Sequence, residues 1–399
     1  MDCRPPDDFR CPISLELMSD PVILCTGQTY DRSSIQRWLA SGKRICPNTT
    51  MPLDDTKLIP NYALRSLISQ WAQTHGVDLK RPAASVSPPG GRPNAHGHET
   101  LKTLEALVKT LANNRNQNRQ NSSCISFVRD AVREIRTLAK QNRETRLRLV
   151  EAGVVAKMLP LLSCGDRQTE ENAMVALFRL SLEDDNKVGL VAEGAVDAIV
   201  NALKHGSLET RTTAAVTLTS LAMVDVNKAT IGSHSDAIGA LVKLLAEGDF
   251  RSRKEATTAL YSLCFYNDNK RRAVMSGAVP LLLDSVTGVV LNETAERPLG
   301  LLNMLATVSE GRYAIALQKG VMGTLTRVLS EGTFRSKEHA VSILSSLCCN
   351  SKQRAVEGRQ AGVMEHCKKF VEDGTARTKP KASALMKALE ESASNGMGN

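Results

Sequence analysis

From residue 135 to residue 389 the chain repeats one pair of apolar positions every 41 or 42 residues. The pairs are Ile135/Leu138, Leu177/Leu180, Leu218/Leu221, Leu260/Leu263, Leu302/Leu305, Leu344/Leu347 and Met386/Leu389. A step of three residues places both members of a pair on one face of a helix. A second series runs in register with the first: Gly153, Gly194, Gly277, Gly320 and Gly362, with Asp236 in the slot between Gly194 and Gly277. A unit of this length cannot bury its apolar face alone. Stacked neighbours must bury it together, so the pattern predicts an extended helical array. Hydrophobic residues make up 42% of the chain and aromatics only 4%. Small aliphatic helix formers therefore supply the core, which favours helical repeats over a β-sandwich.

A period near 42 with helical spacing inside it marks armadillo or HEAT repeats, and this stretch resembles the armadillo family from about residue 101 to 393, as six to seven repeats. Asn-Lys at 186–187, 227–228 and 269–270 falls where a turn between repeats is expected. The polar run 113–123 reads as a loop, and Pro298 fits the first turn of its helix. Residues 394–399 read as a disordered tail. Armadillo resemblance implies a surface for extended peptides or protein faces. The tryptophan ladder of nuclear-import receptors is missing, since Trp38 and Trp71 both precede the array. The array also carries no nucleophile elbow, phosphate loop or HExxH, so no hydrolase chemistry is expected of it.

The formal charge is +9, and residues 101–150 hold eleven Lys/Arg against four Asp/Glu. Arg129, Arg133, Arg136, Lys140 and Arg143 recur at helical spacing and form a basic face, opposite an apolar face of Val128, Val132, Ile135 and Ala139. Such a face is either simply solvated or a dock for an acidic partner or anionic lipid. No aromatic residues interleave with the basic ones, so nucleic acid is not an expected partner.

The N-terminal region, residues 5–79, is set off by a Pro/Gly/Ser/Ala-rich stretch that reads as a flexible linker over 80–100. PVILC (21–25) reads as a strand and TGQTY (26–30) as a turn into a second. Asp31 is placed to cap a helix that Gly42 stops. Asn61 is placed to cap another that Gly76 stops, with Leu64, Leu67, Ile68 and Trp71 on its apolar face. Loops CPISLEL and CPNTTMPL flank the first helix. Cys11, Cys25 and Cys46 stand 14 and 21 residues apart, with no CxxC anywhere and no nearby histidine. Paired ligands are missing, so no metal site is expected and the cysteines read as small buried hydrophobes.

CPI at 11–13, DPV at 20–22, G-x-TYDR at 27–32, CP at 46–47, PL at 52–53 and LIPN at 58–61 give this region a close resemblance to the U-box, a RING-shaped domain that holds its loops without zinc. With the repeats behind it, the chain resembles the plant U-box/armadillo ubiquitin ligases. The implied fold is mostly α: an α+β U-box followed by an armadillo solenoid. The implied activity is recruitment of a ubiquitin-charged conjugating enzyme and transfer of ubiquitin to a substrate lysine. No covalent intermediate forms on the ligase, so no catalytic nucleophile and no cofactor are needed. The array would bind a protein substrate or a receptor-type regulator. By transfer of the family pattern, Ile13 and Leu15 of the first loop, Trp38, and Pro47 of the second loop form the conjugating-enzyme groove. Ile13 and Leu15 would point the same way from an extended loop. Asp20, Asp31, Arg32 and Asn61 would brace the loops. The position three after the second-loop proline, where strong ligases carry a basic residue, holds Thr50. That departure keeps open an alternative: a non-catalytic scaffold with a vestigial U-box that dimerises. No apolar run spans a membrane. A cytoplasmic location is expected, or a nuclear one, or peripheral attachment at the plasma membrane.

Overall fold

The computed structural model describes residues 5–53, 55, 56, 58–75, 77, 122–287 and 293–394. The linker at 80–100, the start of the array and Gly76 lie outside these residues. The chain divides into two compact units, residues 1–198 and 199–399.

The first unit opens with a small sheet in the order β2-β1-β3, formed by β1 (Pro21–Ile23), β2 (Thr29–Asp31) and β3 (Ile59–Pro60). The central β1 pairs antiparallel on both sides, Val22 opposite Tyr30 and Pro60. β1 ends at Ile23 rather than Cys25, because Leu24 N–H turns to Gln28 O at 3.0 Å and Gly27 takes φ +78°. The two-residue β3 has no alternation long enough to announce it in the sequence. Helix α1 (Arg32–Ala40) is capped by Asp31, whose carboxylate accepts from Ser33 N–H. Helix α2 (Tyr62–His75) is capped by Asn61, whose Oδ1 accepts from Leu64 N–H at 3.1 Å. The core beneath them holds Cys11, Met18, Val22, Leu24, Tyr30, Ile35, Cys46, Leu53 and Ile68. Leu67, expected on the apolar face of α2, is 53% exposed. Cys25 and Cys349 are exposed as well, unlike the buried Cys11, Cys46, Cys264, Cys348 and Cys367.

The rest of this unit is helical: α3 (Ser122–Gln141), α4 (Arg143–Glu151), α5 (Val154–Met158) with a 3₁₀ turn to Ser163, α6 (Arg167–Leu180), α7 (Asp184–Ala192) and the start of α8 (Ala195–His205). Ser122 and Ser123 therefore open a helix and do not belong to a loop. The second unit continues with α9 (Leu208–Leu221), α10 (Asp225–Ser233), α11 (Ala237–Glu247), α12 (Phe250–Leu263), α13 (Asn267–Met275), α14 (Ala278–Thr287), α15 (Glu296–Leu305), α16 (Ser309–Ala316), α17 (Val321–Glu331), α18 (Phe334–Cys348), α19 (Lys352–Gln360), α20 (Val363–Asp373) and α21 (Lys379–Ser394). Helix α21 takes in Ser394, the first residue of the expected tail.

The repeating pairs lie on the long helices and are buried, apart from Met386, which is half-buried. In the second unit the long helices stack in order, α9 on α12, α12's successor α15 on α18, and α18 on α21. Each repeating glycine joins a short helix to the next helix in the left-handed conformation, with φ between 73° and 84°. Asp236 does not copy it: its φ is −103°, and His234 in the extended region makes the bend instead.

The Asn-Lys pairs lie inside the first turn of the short helices, not in a turn between repeats. Asn186, Asn227 and Asn269 each donate from Nδ2 to a carbonyl at the end of the preceding long helix, Leu180, Leu221 and Leu263, all at 3.0 Å. These carbonyls have no partner within their own helix. Asn269 also donates to Lys228 O at 2.8 Å, tying one short helix to the one before it. It sits so close to Gly232 that a Cβ there would fall 1.9 Å from Asn269 Oδ1. Gly232→Ala is therefore expected to displace Asn269 and destabilise the array by about 2 kcal/mol or more. Chemical denaturation checks this. Gly239→Ala, inside α11 with nothing within 4 Å of the new Cβ, is expected to stabilise the array by about 0.5–1 kcal/mol instead.

Candidate functional site

The two loops of the N-terminal domain are copies of one turn, offset by 35 residues. Arg10 bridges to Leu17 and Ile45 bridges to Pro52. Leu15 N–H donates to Cys11 O at 2.8 Å, and Thr50 N–H donates to Cys46 O at 2.9 Å. Cys11 N–H reaches Glu16 O at 2.9 Å, and Cys46 N–H reaches Met51 O at 2.8 Å. Leu15 and Thr50 share a φ of +57°, which is uncommon for a leucine and strained for a β-branched residue. The first loop is thus a closed turn, not the extended segment expected of it. Ile13 and Leu15 consequently diverge: Ile13 packs against the core, while Leu15 is 71% exposed.

Consecutive residues of β2 hold the two loops. Asp31 holds the first. Its backbone N–H reaches Cys11 Sγ at 3.2 Å, and its carboxylate accepts from Ser19 N–H at 2.9 Å and Asp20 N–H at 3.1 Å, as well as from the N-terminus of α1. Tyr30 holds the second. Its hydroxyl accepts from Asn48 N–H at 3.1 Å, which leaves its own proton for Cys46 Sγ, 3.1 Å away. Thr26 Oγ1 adds a donor to the same sulfur at 3.3 Å, and Asn48 Nδ2 reaches Gln28 Oε1 at 2.8 Å. Burial opposes the Cys46 thiolate, yet the Thr26 and Tyr30 hydroxyls favour it, and the thiol is drawn down to about 6. Burial and the Cys46 contact push the Tyr30 phenol upward.

The other bracing residues join the end of the first loop to the helices. Arg32 meets Asp20 at 2.6 Å, with Arg65 3.8 Å from the same carboxylate. Asn61 caps α2, donates its backbone N–H to Pro21 O at 2.7 Å, and reaches Thr29 Oγ1 from Nδ2 at 3.2 Å. Sequence reading did not find Tyr30, Thr26, Gln28 and Asn48, which fasten the second loop. The signal for them was the internal echo of RCP at 10–12 in ICP at 45–47.

Trp38 is half-buried, and its Nε1 donates to Ile45 O at 2.9 Å, so the α1 indole is fastened to the second loop. The Lys43 ammonium lies 3.8 Å from the indole ring. Pro47 is half-buried. Thr50 is exposed, and its hydroxyl donates to Thr49 O at 2.7 Å, inside its own loop. Two further apolar side chains stand out on the second loop, Ile45 at 44% and Met51 at 57% exposure.

The basic face of α3 is partly engaged within the array. Arg129 forks onto Asp166 at 2.7 Å, Arg136 reaches Asn172 Oδ1 at 2.5 Å, and Arg143 pairs with Asp185 at 2.6 Å and Glu183 at 3.3 Å. Each bond joins the α3 region to the next repeat. Arg133 pairs with Asp130 along its own helix. Arg133, Lys140 and Arg143 stay exposed, while Arg129 and Arg136 are half-buried against the next repeat. Among the described residues no helix is long and apolar enough to cross a membrane.

Comparison with known proteins agrees with this geometry. The U-box domain family model matches residues 5–77, and the plant U-box protein ARM repeat region matches residues 103–397. The chain belongs to the plant U-box armadillo-repeat family. It is 41% identical to U-box domain-containing protein 8 of Arabidopsis thaliana, over 84% of each chain. It is 43% identical to the rice E3 ubiquitin-protein ligase SPL11 over 46% of this chain, but that match spans only 25% of the rice protein. A crystal structure of an engineered protein shares the fold over 73% of this chain, with a TM-score of 0.58 and 21% identity.

In the U-box, the Asp31 carboxyl is held below its ordinary value: burial opposes ionisation, but the hydrogen bonds from Ser33, Asp20 and Ser19 outweigh it. A depressed folded value contributes stability above the unfolded value, near 3.9, and that stability is lost as pH falls through the folded value. Asp31→Asn is expected to cost about 2 kcal/mol at pH 7, with the gap to wild type closing below about pH 4. Thermal melts across that range check it.

Proposed function

We propose that this chain is a ubiquitin ligase whose U-box docks a ubiquitin-charged conjugating enzyme and whose armadillo repeats hold the protein to be modified. The observation that carries the reading is Leu15. It is a large apolar side chain, 71% exposed, on a loop closed by its own backbone hydrogen bonds and tied to β2 through the Cys11 sulfur. A soluble domain that fixes a leucine outward in a strained backbone conformation holds it ready for a partner. Ile13, Trp38 and Pro47 are the neighbouring groove residues, and Ile45 and Met51 add apolar surface on the second loop.

No side chain of the U-box has to attack anything. The conjugating enzyme carries ubiquitin as a thioester on its own cysteine, and the lysine amine of the substrate displaces that thiolate. The ligase contributes position, holding amine and thioester together so that the encounter becomes effectively intramolecular. Rigid loops are the property this task needs.

Leu15 is exposed, so Leu15→Ala leaves folding intact while removing apolar contact worth roughly 1.5–3 kcal/mol. In an autoubiquitination assay with a panel of conjugating enzymes, the rate is expected to fall about tenfold or more with an unchanged melting temperature. Ile13→Ala and Pro47→Ala are expected to lower both, because both side chains are half-buried. Equal rates for wild type and Leu15→Ala would refute the assigned groove.

Thr50 lacks the bidentate reach of arginine, and its hydroxyl is tied to Thr49. This favours weak intrinsic transfer. Thr50→Arg removes a β-branched residue from φ +57° and supplies a cation, so a faster rate at equal or greater stability is expected. Should no conjugating enzyme support conjugation by either form, the scaffold reading replaces the ligase one.

A further inference from the structure

In the second unit one register position on the long helices changes character along the stack. Thr213, Glu255, Arg297, His339 and Lys381 follow each other at intervals of 42 residues. The last three make a basic row on α15, α18 and α21, and direct contacts link it from helix to helix. The Arg297 guanidinium lies 4.8 Å from the centre of the Tyr261 ring on α12. Gly300, in the middle of α15, brings Tyr261 and His339 onto the same spot: a Cβ there would sit 3.2 Å from Tyr261 Cε2 and 3.3 Å from His339 Nε2. A mid-helix glycine costs about 1 kcal/mol relative to alanine, and here it permits that convergence. Asn303 Nδ2 lies 3.4 Å from His339 Nδ1. Lys381 Nζ donates to Ser342 Oγ on α18 at 3.1 Å.

Among the described residues the row's cations have no carboxylate partner: Arg297, Arg377 and Lys381 form no ion pair. Two carboxylates, Glu296 and Glu338, lie beside His339 and favour its charged form, against burial; their hydrogen bonds go to hydroxyls off the row. Glu296 accepts from Thr333 Oγ1 at 2.7 Å and faces Arg335 at 3.8 Å. Glu338 accepts from Thr375 and Thr378 hydroxyls at 2.5 and 2.6 Å. Glu255, half-buried on α12, ends the basic stretch on one side. The Lys381 ammonium is pushed downward by burial and by Arg377, and burial does the same to the His339 imidazolium. Arg297 over its aromatic floor and Lys381 beside Arg377 are therefore cations open to an incoming anion.

We propose that this face is a recognition site for a phosphorylated serine or threonine in an extended segment of the protein partner, held at Arg297 and His339, with Lys381 on the next helix meeting a second acidic group of the segment. A phosphate fits better than a carboxylate. It carries nearly two charges and three acceptor oxygens, against the Arg297 guanidinium, the His339 imidazole and the Asn303 amide on this face. An extended segment fits because packed helices stand about 9 Å apart, a span of roughly three extended residues. An acidic residue three positions from the phosphate would meet the neighbouring helix. The site rests on the reading that the array holds the partner, but not on ligase activity.

The test is fluorescence anisotropy on the full chain with degenerate peptides carrying a central phosphoserine, serine or glutamate. Phosphoserine peptides are expected to bind at least tenfold more tightly than either other set. Arg297→Gln and Lys381→Gln are each expected to remove about tenfold of that affinity. Autoubiquitination and the melting temperature should be unchanged in both variants. Equal binding of phosphoserine and serine peptides overturns the proposal. So does glutamate binding as well as phosphoserine, or indifference to both substitutions, or tighter binding to phosphatidylserine vesicles than to any peptide. Phosphopeptide binding by a chain that conjugates no ubiquitin would sink the ligase reading and leave this site standing.

Discussion

Two neighbouring residues on a three-residue strand, Tyr30 and Asp31, fix the U-box. Because side chains alternate along a strand, one residue cannot serve both loops from the same face. Tyr30 sends its hydroxyl to the second loop, and Asp31 sends its carboxylate and backbone N–H to the first. Both residues are buried, at 0% and 8% exposure. A buried polar group is stabilising only when its partners are in place. The network therefore acts as a latch with few alternative geometries. Everything the domain presents, Leu15 above all, depends on those loops keeping their shape.

The array solves the same problem by repetition. Apolar pairs stack the long helices, but stacking alone leaves the last carbonyls of each helix unsatisfied. The buried asparagines Asn186, Asn227 and Asn269 supply donors to these carbonyls. In the second unit Asn269 reaches back to the preceding short helix as well. Charged groups play a related part, since Arg129 on α3 and Arg143 at the start of α4 meet acids of the following repeat. Two residues of the basic face, Arg129 and Arg136, thus also serve as an internal seam.

The two regions suit different chemical duties. The U-box offers rigidity and an exposed apolar anchor. The array offers a long row of equivalent positions whose side chains vary from repeat to repeat while the buried ladder stays constant. Variation at one register position, from Thr213 through Arg297 to Lys381, changes the charge of a stretch of the array without touching its core. Neither duty calls for a nucleophile, which is why the thiols of Cys264, Cys348 and Cys367, each pushed up to about 12 by burial, serve as packing.

The sequence by itself determined the helical array, its 42-residue period, the caps at Asp31 and Asn61, and the two-loop outline of the N-terminal domain. These are local or periodic properties: propensity, side-chain period and capping act within a few residues, and repetition makes them visible over the whole chain. Tertiary structure decided what depends on partners distant in the chain. It turned Leu15 outward and Ile13 inward, because a hydrogen bond from Leu15 to Cys11 closed the loop. It gave the second loop to Tyr30, 16 residues away from Cys46. It moved the Asn-Lys pairs from a turn into a helix, where the asparagine finds a buried carbonyl. It joined Tyr261, Gly300 and His339 on one face, although about 40 residues separate each from the next along the chain.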